Sequence, residues 1–499
     1  MTTGSYLELR ETHSAGLLLV GDTALKFKKP VDLGFLDFTS RRTRVAVCEA
    51  EVALNRRFSP DVYLGVADLA LPDGRHEPVV VMRRMPDDRR LATLVRAGAD
   101  VRDDLRRLAH LLATVHARSE RSAAVDLEAG RDRLRARWTA SFEQVRPYTG
   151  RWLDPARTAT VEELTLRFLD GRGPLLARRV AQGCAVDGHG DLLADDVFCL
   201  ADGPRALDCL EFDDRLRYVD RIDDAAFLAM DLEWLGAPDL GTDFLQWYLE
   251  LSGDHAPPAL VDHYVAYRAF VRAKVACVRS AQGADHTAEA RRLLDLTFEH
   301  LSANAVTLVL VGGAPGTGKS TVAAELADRL GLVLLGSDRV RKELAGLDPS
   351  TPAGSTYATG IYTPEHTERT YDELLRRATV LLGLGESVVL DATWLSAGHR
   401  AAARAVARTT CSELVELDCH APPDLAARRI EARRLGGDLR SDADAEVAGR
   451  MVAGGDPWPE ARLVDTTAAL ETTAAETVAA VRPVRVVARS ARRPFLLPD

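Results

Sequence analysis

Residues 306–321 read VTLVLVGGAPGTGKST. Val306 to Val311 is an apolar, β-branched run of the kind that forms a buried strand. Gly313-Ala-Pro-Gly316-Thr317-Gly318-Lys319-Ser320 then fits G-x-x-x-x-G-K-S, and the TVAAELADRL that follows sets Val322, Leu326 and Leu330 on one helical face. The spacing has a chemical reason. Glycines let successive backbone N–H groups curl round a phosphate, and a helix N-terminus adds partial positive charge there. The backbone from Gly313 to Thr321 is thus assigned to phosphate oxygens, Lys319 to the β- and γ-phosphates, and the Ser320 hydroxyl to Mg²⁺. A glycine-rich turn without this role would not need a strand before it and a helix after it. The stretch predicts a nucleoside-triphosphate site.

Downstream, GLVLLGSDRVRKELAG (331–346) reads as a second strand running into a helix, with Asp338 at the strand's C-terminal end and Arg341 and Lys342 just beyond. Ligands of open α/β sheets sit past the C-terminal strand ends, which directs Asp338 and Arg341 toward the phosphate loop. An acceptor hydroxyl needs a base there, and its anionic substituents need a cation. Either residue alone could be an N-cap or an exposed arginine. Residues 348–378, rich in Gly, Pro, Thr and Tyr, read as a substrate-gripping segment leading into a helix. The strand in GESVVLDATWLSAGHR (385–400) ends in Asp391, the Walker B arrangement that turns a carboxylate toward Mg²⁺, with Thr393 and Arg400 as substrate or phosphate contacts. CSELVELDC (411–419) is another strand. In the helix of 422–437, Arg429 and Arg433 lie four apart on one face, suited to a lid that closes over the transferring phosphate, although a solvated basic face has the same pattern.

Composition narrows the class. The chain has 499 residues, a length that suggests about three ordinary domains. With 46% hydrophobic and 28% charged residues it is an ordinary globular protein. A net charge of −10 argues against a surface that coats nucleic acid, though not against a local basic cleft. Seven cysteines without a C-x-x-C pair fit reduced thiols. No secretory signal pattern and no run of about 18 apolar residues is present, so a cytoplasmic protein without membrane association is expected.

In the first 300 residues, 16–29 reads as a hairpin turning at Gly21-Asp22, with Ala24, Lys26 and Lys28 on one face of its second strand. Residues 45–58 form an amphipathic helix carrying Glu49 and Glu51; 78–85 is a strand; 101–117 is a helix in which His116 packs or caps. In VDGHGDLLADDVFCLADGPRALDCLEFDDR (186–215), His189-Gly-Asp191 opens a loop, VFCL and RALDCLEF read as two strands, and Asp208 ends the second. Carboxylates bracketing a hairpin suit phosphoryl transfer, one as proton acceptor and one as metal ligand. Composition alone leaves that level with an ordinary solvated Asp-rich turn. The arginine-rich helices of 130–180 read as a charged face, and a break near Ser302-Ala-Asn304 reads as the domain boundary.

The order of lysine hairpin, Glu helix, His-Gly-Asp and a later aspartate resembles the aminoglycoside phosphotransferase-like kinases, which share the two-lobed protein-kinase fold. TALK (23–26) resembles V-A-I-K and selects Lys26 over Lys28 as the ATP lysine; Glu51, with Glu49 second, is its implied partner. The resemblance makes Asp191 the base and Asp208 a metal ligand, and 222–236 resembles the following helix. Two departures stand out. The pattern H-x-D-x-x-x-x-N meets Asp196 in place of asparagine, a carboxylate that can still ligate Mg²⁺ but adds negative charge beside a triphosphate. No kinase-type glycine-rich loop is present, and THSAG (12–16) is the only candidate cover for the phosphates.

The second half resembles the small P-loop kinases grouped with zeta toxins, gluconate kinase and the kinase domain of phage polynucleotide kinase, through GAPGTGKST, SDRVRKELAG, VVLDATW and ARRIEAR with its following SDA. Carried over, Lys319 and Ser320 bind ATP and Mg²⁺, Asp338 activates the hydroxyl, and Arg429 and Arg433 belong to the lid. The whole chain therefore resembles fusions of the two kinase types, mixed α/β and α+β. The expected layout is a kinase-like N-lobe (1–90), a helical C-lobe (91–303), a doubly wound parallel-sheet P-loop domain (304–480) and a basic tail (481–499). The expected function is ATP- and Mg²⁺-dependent phosphorylation of a hydroxyl on a sugar, aminoglycoside or nucleotide-like small molecule, with nucleic acid not favoured as partner and the oligomeric state open. The alternatives are a polynucleotide 5′-hydroxyl kinase and a nucleotide-sensing regulator with a pseudokinase N-terminal domain.

Overall fold

The computed structural model describes residues 7–11, 15–32, 37–71, 74–348, 360–435 and 454–482, with the side chains of 433–435 outside the description. Most of THSAG, residues 349–359 of the tyrosine-rich segment, the SDA after the arginine helix and the tail from 483 lie outside the described residues. The chain divides into two compact units. The first is Met1–Pro155, Ala177–Ala256 and His263–Thr297; the second is Ala156–Leu176, Pro257–Asp262 and Phe298–Asp499. A single cut between 303 and 304 therefore does not separate them, because two earlier segments belong to the second unit. Among the described residues no helix is long and apolar enough to cross a membrane.

In the first unit, β1 (Leu7–Glu11), β2 (Ala15–Val20), β3 (Thr23–Lys28), β4 (Tyr63–Ala70) and β5 (His76–Arg83) form an antiparallel sheet in the order β1-β2-β3-β5-β4. The expected hairpin is β2–β3. The helix expected from residue 45 begins at Arg41, because Ser40 caps it by accepting the Thr43 N–H at 3.0 Å. It runs to Asn55 and buries Cys48, Glu51, Val52 and Asn55. Leu19, Ala24, Val80 and Met82 from the sheet close a core over Cys48 and Val52. The remainder is mainly helical, with Arg102–Ala117, Arg131–Val145, Arg221–Trp234 and Pro238–Ser252 among its helices. Two small sheets complete it: β6 (Ala185–Asp187) pairs with β9 (Tyr218–Asp220), and β7 (Val197–Leu200) with β8 (Gly203–Ala206). The strand expected to run through Phe212 ends at Ala206. Asp208 takes φ 65°, a left-handed conformation that no strand accommodates.

The second unit carries a parallel sheet of β10 (Thr307–Gly312), β11 (Val333–Gly336), β12 (Val388–Asp391), β13 (Glu413–His420) and β14 (Arg462–Asp465), ordered β11-β12-β10-β13-β14. Strand β10 is central and buried at every position. Its alternation splits the hydrophobic core in two. Leu308 and Leu310 join Tyr371, Leu374 and Leu382 on one face, while Val309 and Val311 join Val322, Leu326 and Val464 on the other. The apolar stripe expected on the helix Lys319–Leu330 is the one buried.

The helix Pro155–Gly171 packs within this second unit at close range. A Cβ on Gly171 would lie 2.2 Å from the Thr410 carbonyl oxygen. The next residue, Arg172, is fully buried and donates to the Leu382 and Thr410 carbonyls and, at 3.1 Å, to Ser412 Oγ. Burial lowers its guanidinium to about 10. Removing it strands buried acceptors, each costing roughly 1–3 kcal/mol. Arg172→Ala is therefore expected to destabilise the second unit by about 3 kcal/mol in a denaturant titration; a change below about 0.5 kcal/mol would rule the clamp out.

Candidate functional site

The phosphate loop occupies the turn between β10 and the helix Lys319–Leu330. Gly313 has φ 131° and a Cβ there would meet the Cys419 carbonyl at 2.5 Å; Gly316 has φ 83° and a Cβ would meet the Ala426 carbonyl at 2.5 Å. Neither position admits a side chain. The loop is braced from both flanks. Gly313 N–H donates to the Thr393 carbonyl at 3.3 Å, and Thr466 Oγ1 donates to the Thr317 carbonyl at 2.6 Å. Arg429 donates to Thr466 Oγ1 at 3.1 Å and to its carbonyl at 2.7 Å. Expected on a lid, Arg429 is thus anchored in the framework behind the loop. Arg433 lies in the same helix, Pro423–Leu435, with its side chain outside the described residues. Ser320 and Thr321 are exposed at the start of the loop helix, and Lys319 is half-buried.

The neighbouring strand ends bring the acidic groups to this turn. Gly336 of β11, Asp391 of β12 and Val311 of β10 are register neighbours, so Asp391 stands beside the chain as it enters the loop. Asp391 Oδ1 is buried and meets no hydrogen-bond donor. A carboxylate oxygen left so is costly unless a cation or its water reaches it, which fits a magnesium-bearing nucleotide. Asp338 is in the first turn of the helix Ser337–Leu344. Burial pushes its pKa up, Lys319 and Arg341 pull it back, and Asp391 adds to the rise, so all three charges act on Asp338. Among the described residues no three His, Cys, Asp or Glu form a ready-made metal cage. A metal here would be completed by phosphate oxygens and water.

Arg341 is buried rather than reaching freely into the crevice. Its NH1 group donates to the Ile361 carbonyl and to Thr367 Oγ1, both at 3.0 Å, and its Nε is buried without an acceptor. Thr393 is held by Tyr371, hydroxyl to hydroxyl at 3.2 Å. Arg400 proves structural: it donates to the Trp394 and Pro457 carbonyls, both at 2.7 Å. Tyr371 and Thr466 escaped the sequence reading, since a tyrosine in a helix and a threonine after a short strand carry no pattern of their own.

In the first unit, Lys26 and Glu51 form an ion pair at 2.8 Å, and Glu51 is completely buried while Glu49 is exposed. Lys26 also contacts Asp208. Burial opposes the Lys26 charge, but Asp208 and Glu51 overcome it and set its pKa well above the usual lysine value. The second lysine is engaged as well: Lys28 meets Glu51 at 2.7 Å and Glu211 at 2.5 Å. The signal for Glu211 was the Asp-x-x-Glu spacing after β8, read as strand. Asp208 keeps its left-handed backbone because its N–H donates to the Tyr63 hydroxyl at 3.0 Å and the Cys209 N–H donates to Asn55 Oδ1 at 2.9 Å.

Buried Asp224 fixes the loop that carries Asp191. It accepts the His189 and Gly190 N–H groups at 2.8 and 2.7 Å and a bond from His116 at 3.0 Å, so His116 is a packed residue behind the loop. Burial raises Asp191 to about 6, with Asp208 adding to the rise against Arg272. Burial, Asp208 and Asp191 push Asp196 well above the usual carboxylate range, toward the neutral acid that shares asparagine's size and charge. The structure thus gathers Lys26, Glu51, Asp191, Asp196 and Asp208 at one place.

A family profile described as "AAA domain" matches residues 308–457. Two solved structures resemble parts of the chain: a choline/ethanolamine kinase family protein from Mesorhizobium loti (15% identical, 60% of this chain and 92% of that one, TM-score 0.37) and a gluconokinase from Sinorhizobium meliloti 1021 (16%, 36% and 92%, TM-score 0.27). Uncharacterized proteins Rv2004c of Mycobacterium tuberculosis and Mb2027c of Mycobacterium bovis are each 44% identical over 468 residues, 93% of this chain and 93% of theirs. The chain therefore belongs to the family of these mycobacterial proteins.

Proposed function

We propose that the P-loop unit is an ATP- and Mg²⁺-dependent phosphotransferase whose acceptor is a hydroxyl of a small molecule such as a sugar, an aminoglycoside or a nucleotide-like compound. The carrying observation is the meeting of Asp338, Lys319 and Asp391 at the phosphate loop, with Asp391 Oδ1 buried and unpartnered. In this reading the acceptor oxygen attacks the γ-phosphorus while Asp338 takes the hydroxyl proton. The bond from phosphorus to the β–γ bridging oxygen breaks, and ADP leaves. Ser320 and Asp391 would hold a magnesium ion, which would supply charge neutralisation on the phosphates. Lys319 would add to it, and Tyr371 fixes Thr393 at the loop's edge. The first unit offers a second nucleotide site, with Lys26 for the phosphates, Asp191 as base and Asp196 and Asp208 for metal. The polynucleotide reading is weaker, because Arg429 is tied to Thr466 and so is not free for a nucleic-acid backbone.

The test is γ-phosphate transfer from ATP across a panel of sugars, aminoglycosides, nucleotide sugars and 5′-hydroxyl oligonucleotides. Asp338→Asn is expected to lower transfer by about 10²–10⁴-fold while Asp191→Asn leaves it within about threefold. Loss with Asp191→Asn alone would move the chemistry to the first unit, and ATP binding without transfer to any acceptor would favour the regulator. A carboxyl with a raised pKa is protonated sooner as the pH falls, so the acid limb of kcat is expected above the ordinary carboxylate value of about 4. A limb at or below that value would remove Asp338 as base. Gly316→Ala, which forces a Cβ onto the Ala426 carbonyl, is expected to weaken ATP binding at the loop by tenfold or more in calorimetry, and unchanged affinity would contradict the loop assignment.

A further inference from the structure

In the first unit the charges form an alternating series that runs from exposed Asp208 inward: Asp208, Lys26, Glu51, Lys28, Glu211. Glu51 divides its two oxygens between the two lysines, at 2.8 and 2.7 Å. The series has a geometric origin. Lys26 and Lys28 are two apart on β3 and share a face; Asp208 and Glu211 are three apart on the segment after β8. That segment is therefore tied to β3 by two ion pairs, and to β4 and the helix Arg41–Asn55 by the hydrogen bonds that Tyr63 and Asn55 accept from it.

The two ties have different fates when nucleotide and metal arrive. In the reading proposed above, on which this inference rests, Lys26 turns to the phosphates and Asp208 to the metal, so their mutual contact loosens. The Lys28–Glu211 pair touches neither ligand and persists. Side-chain exposure of only 3% and 10% shields it from solvent screening. Without Glu211, Lys28 would have Glu51 alone, and Glu51 would be drawn from Lys26.

We propose that Lys28 and Glu211 form a positioning pair that holds Asp208 and, through Glu51, Lys26 in place for a magnesium-bearing nucleotide at the first unit. The pair acts through its neighbours and does not touch the nucleotide. Its removal is expected to reduce the gain in ATP affinity that Mg²⁺ confers, because that gain depends on where Asp208 stands.

The experiment uses the full chain carrying Lys319→Ala, which silences the phosphate-loop site, and ATP titrated by calorimetry with and without Mg²⁺. In this background Glu211→Gln and Lys28→Met are each expected to reduce the Mg²⁺-dependent gain tenfold or more, with metal-free affinity changed less than threefold. The double variant is expected to be no worse than either single one, as for residues acting as a unit. An undiminished gain overturns the proposal, and so does an equal fall with and without metal, which marks a mere brace. Should Glu211→Gln fail to fold, Glu211→Asp keeps the charge and shortens the reach, and the same selective loss or its absence decides. Failure of the Lys319→Ala parent itself to bind ATP overturns the nucleotide reading of this unit together with the pair's role, an outcome distinct from the others.

Discussion

Close packing on both faces of β10 is the constraint from which the second unit follows. A strand buried at every position has no freedom in where it ends, so the chain leaves it at a fixed point between β12 and β13. The turn made there is enclosed by the Cys419 and Ala426 carbonyls, which leave no room for a Cβ. Fixed geometry at the turn is what gives the acidic strand ends a fixed distance from it. Asp391 arrives by register with β10, and Asp338 one strand further out. A cavity beneath β10 would therefore reach the chemistry as surely as a change in the loop.

The two units solve the same electrostatic problem differently. In the second, a buried Asp391 oxygen meets no donor at a strand end next to the phosphate loop. In the first, carboxylates and lysines already neutralise one another, and burial holds Asp196 toward the uncharged acid. The first set of groups is thus already paired within itself, whereas the second keeps a buried oxygen unpaired.

Much of this was legible in the sequence, for a physical reason. The phosphate loop, Asp338, Asp391, Lys26 and Asp208 are set by local spacing, and spacing survives in one dimension. Glu51 over Glu49 follows from the helix's buried face. What escaped depends on contacts between distant segments. Glu211 has meaning only opposite Lys28, Tyr371 only beneath Thr393, and Arg400 only once the chain near Pro457 comes back to it. The expected strand through Asp208 failed because two hydrogen bonds, from residues 145 and 154 positions away, impose a left-handed backbone on β-prone sequence. The segments Ala156–Leu176 and Pro257–Asp262 of the second unit were equally illegible: VEELTLRFL announces a helix and says nothing of what it will pack against.

That last helix gives synthesis of the chain a temporal order. Arg172 leaves the ribosome 210 residues before Leu382 and 240 before Ser412, the groups it will bind. At about 5–20 residues per second, a guanidinium destined for a dry interior stays in water for roughly ten to fifty seconds. During that interval Arg172 has none of these partners, and the second unit cannot pack around this helix until residues 382–412 have been made.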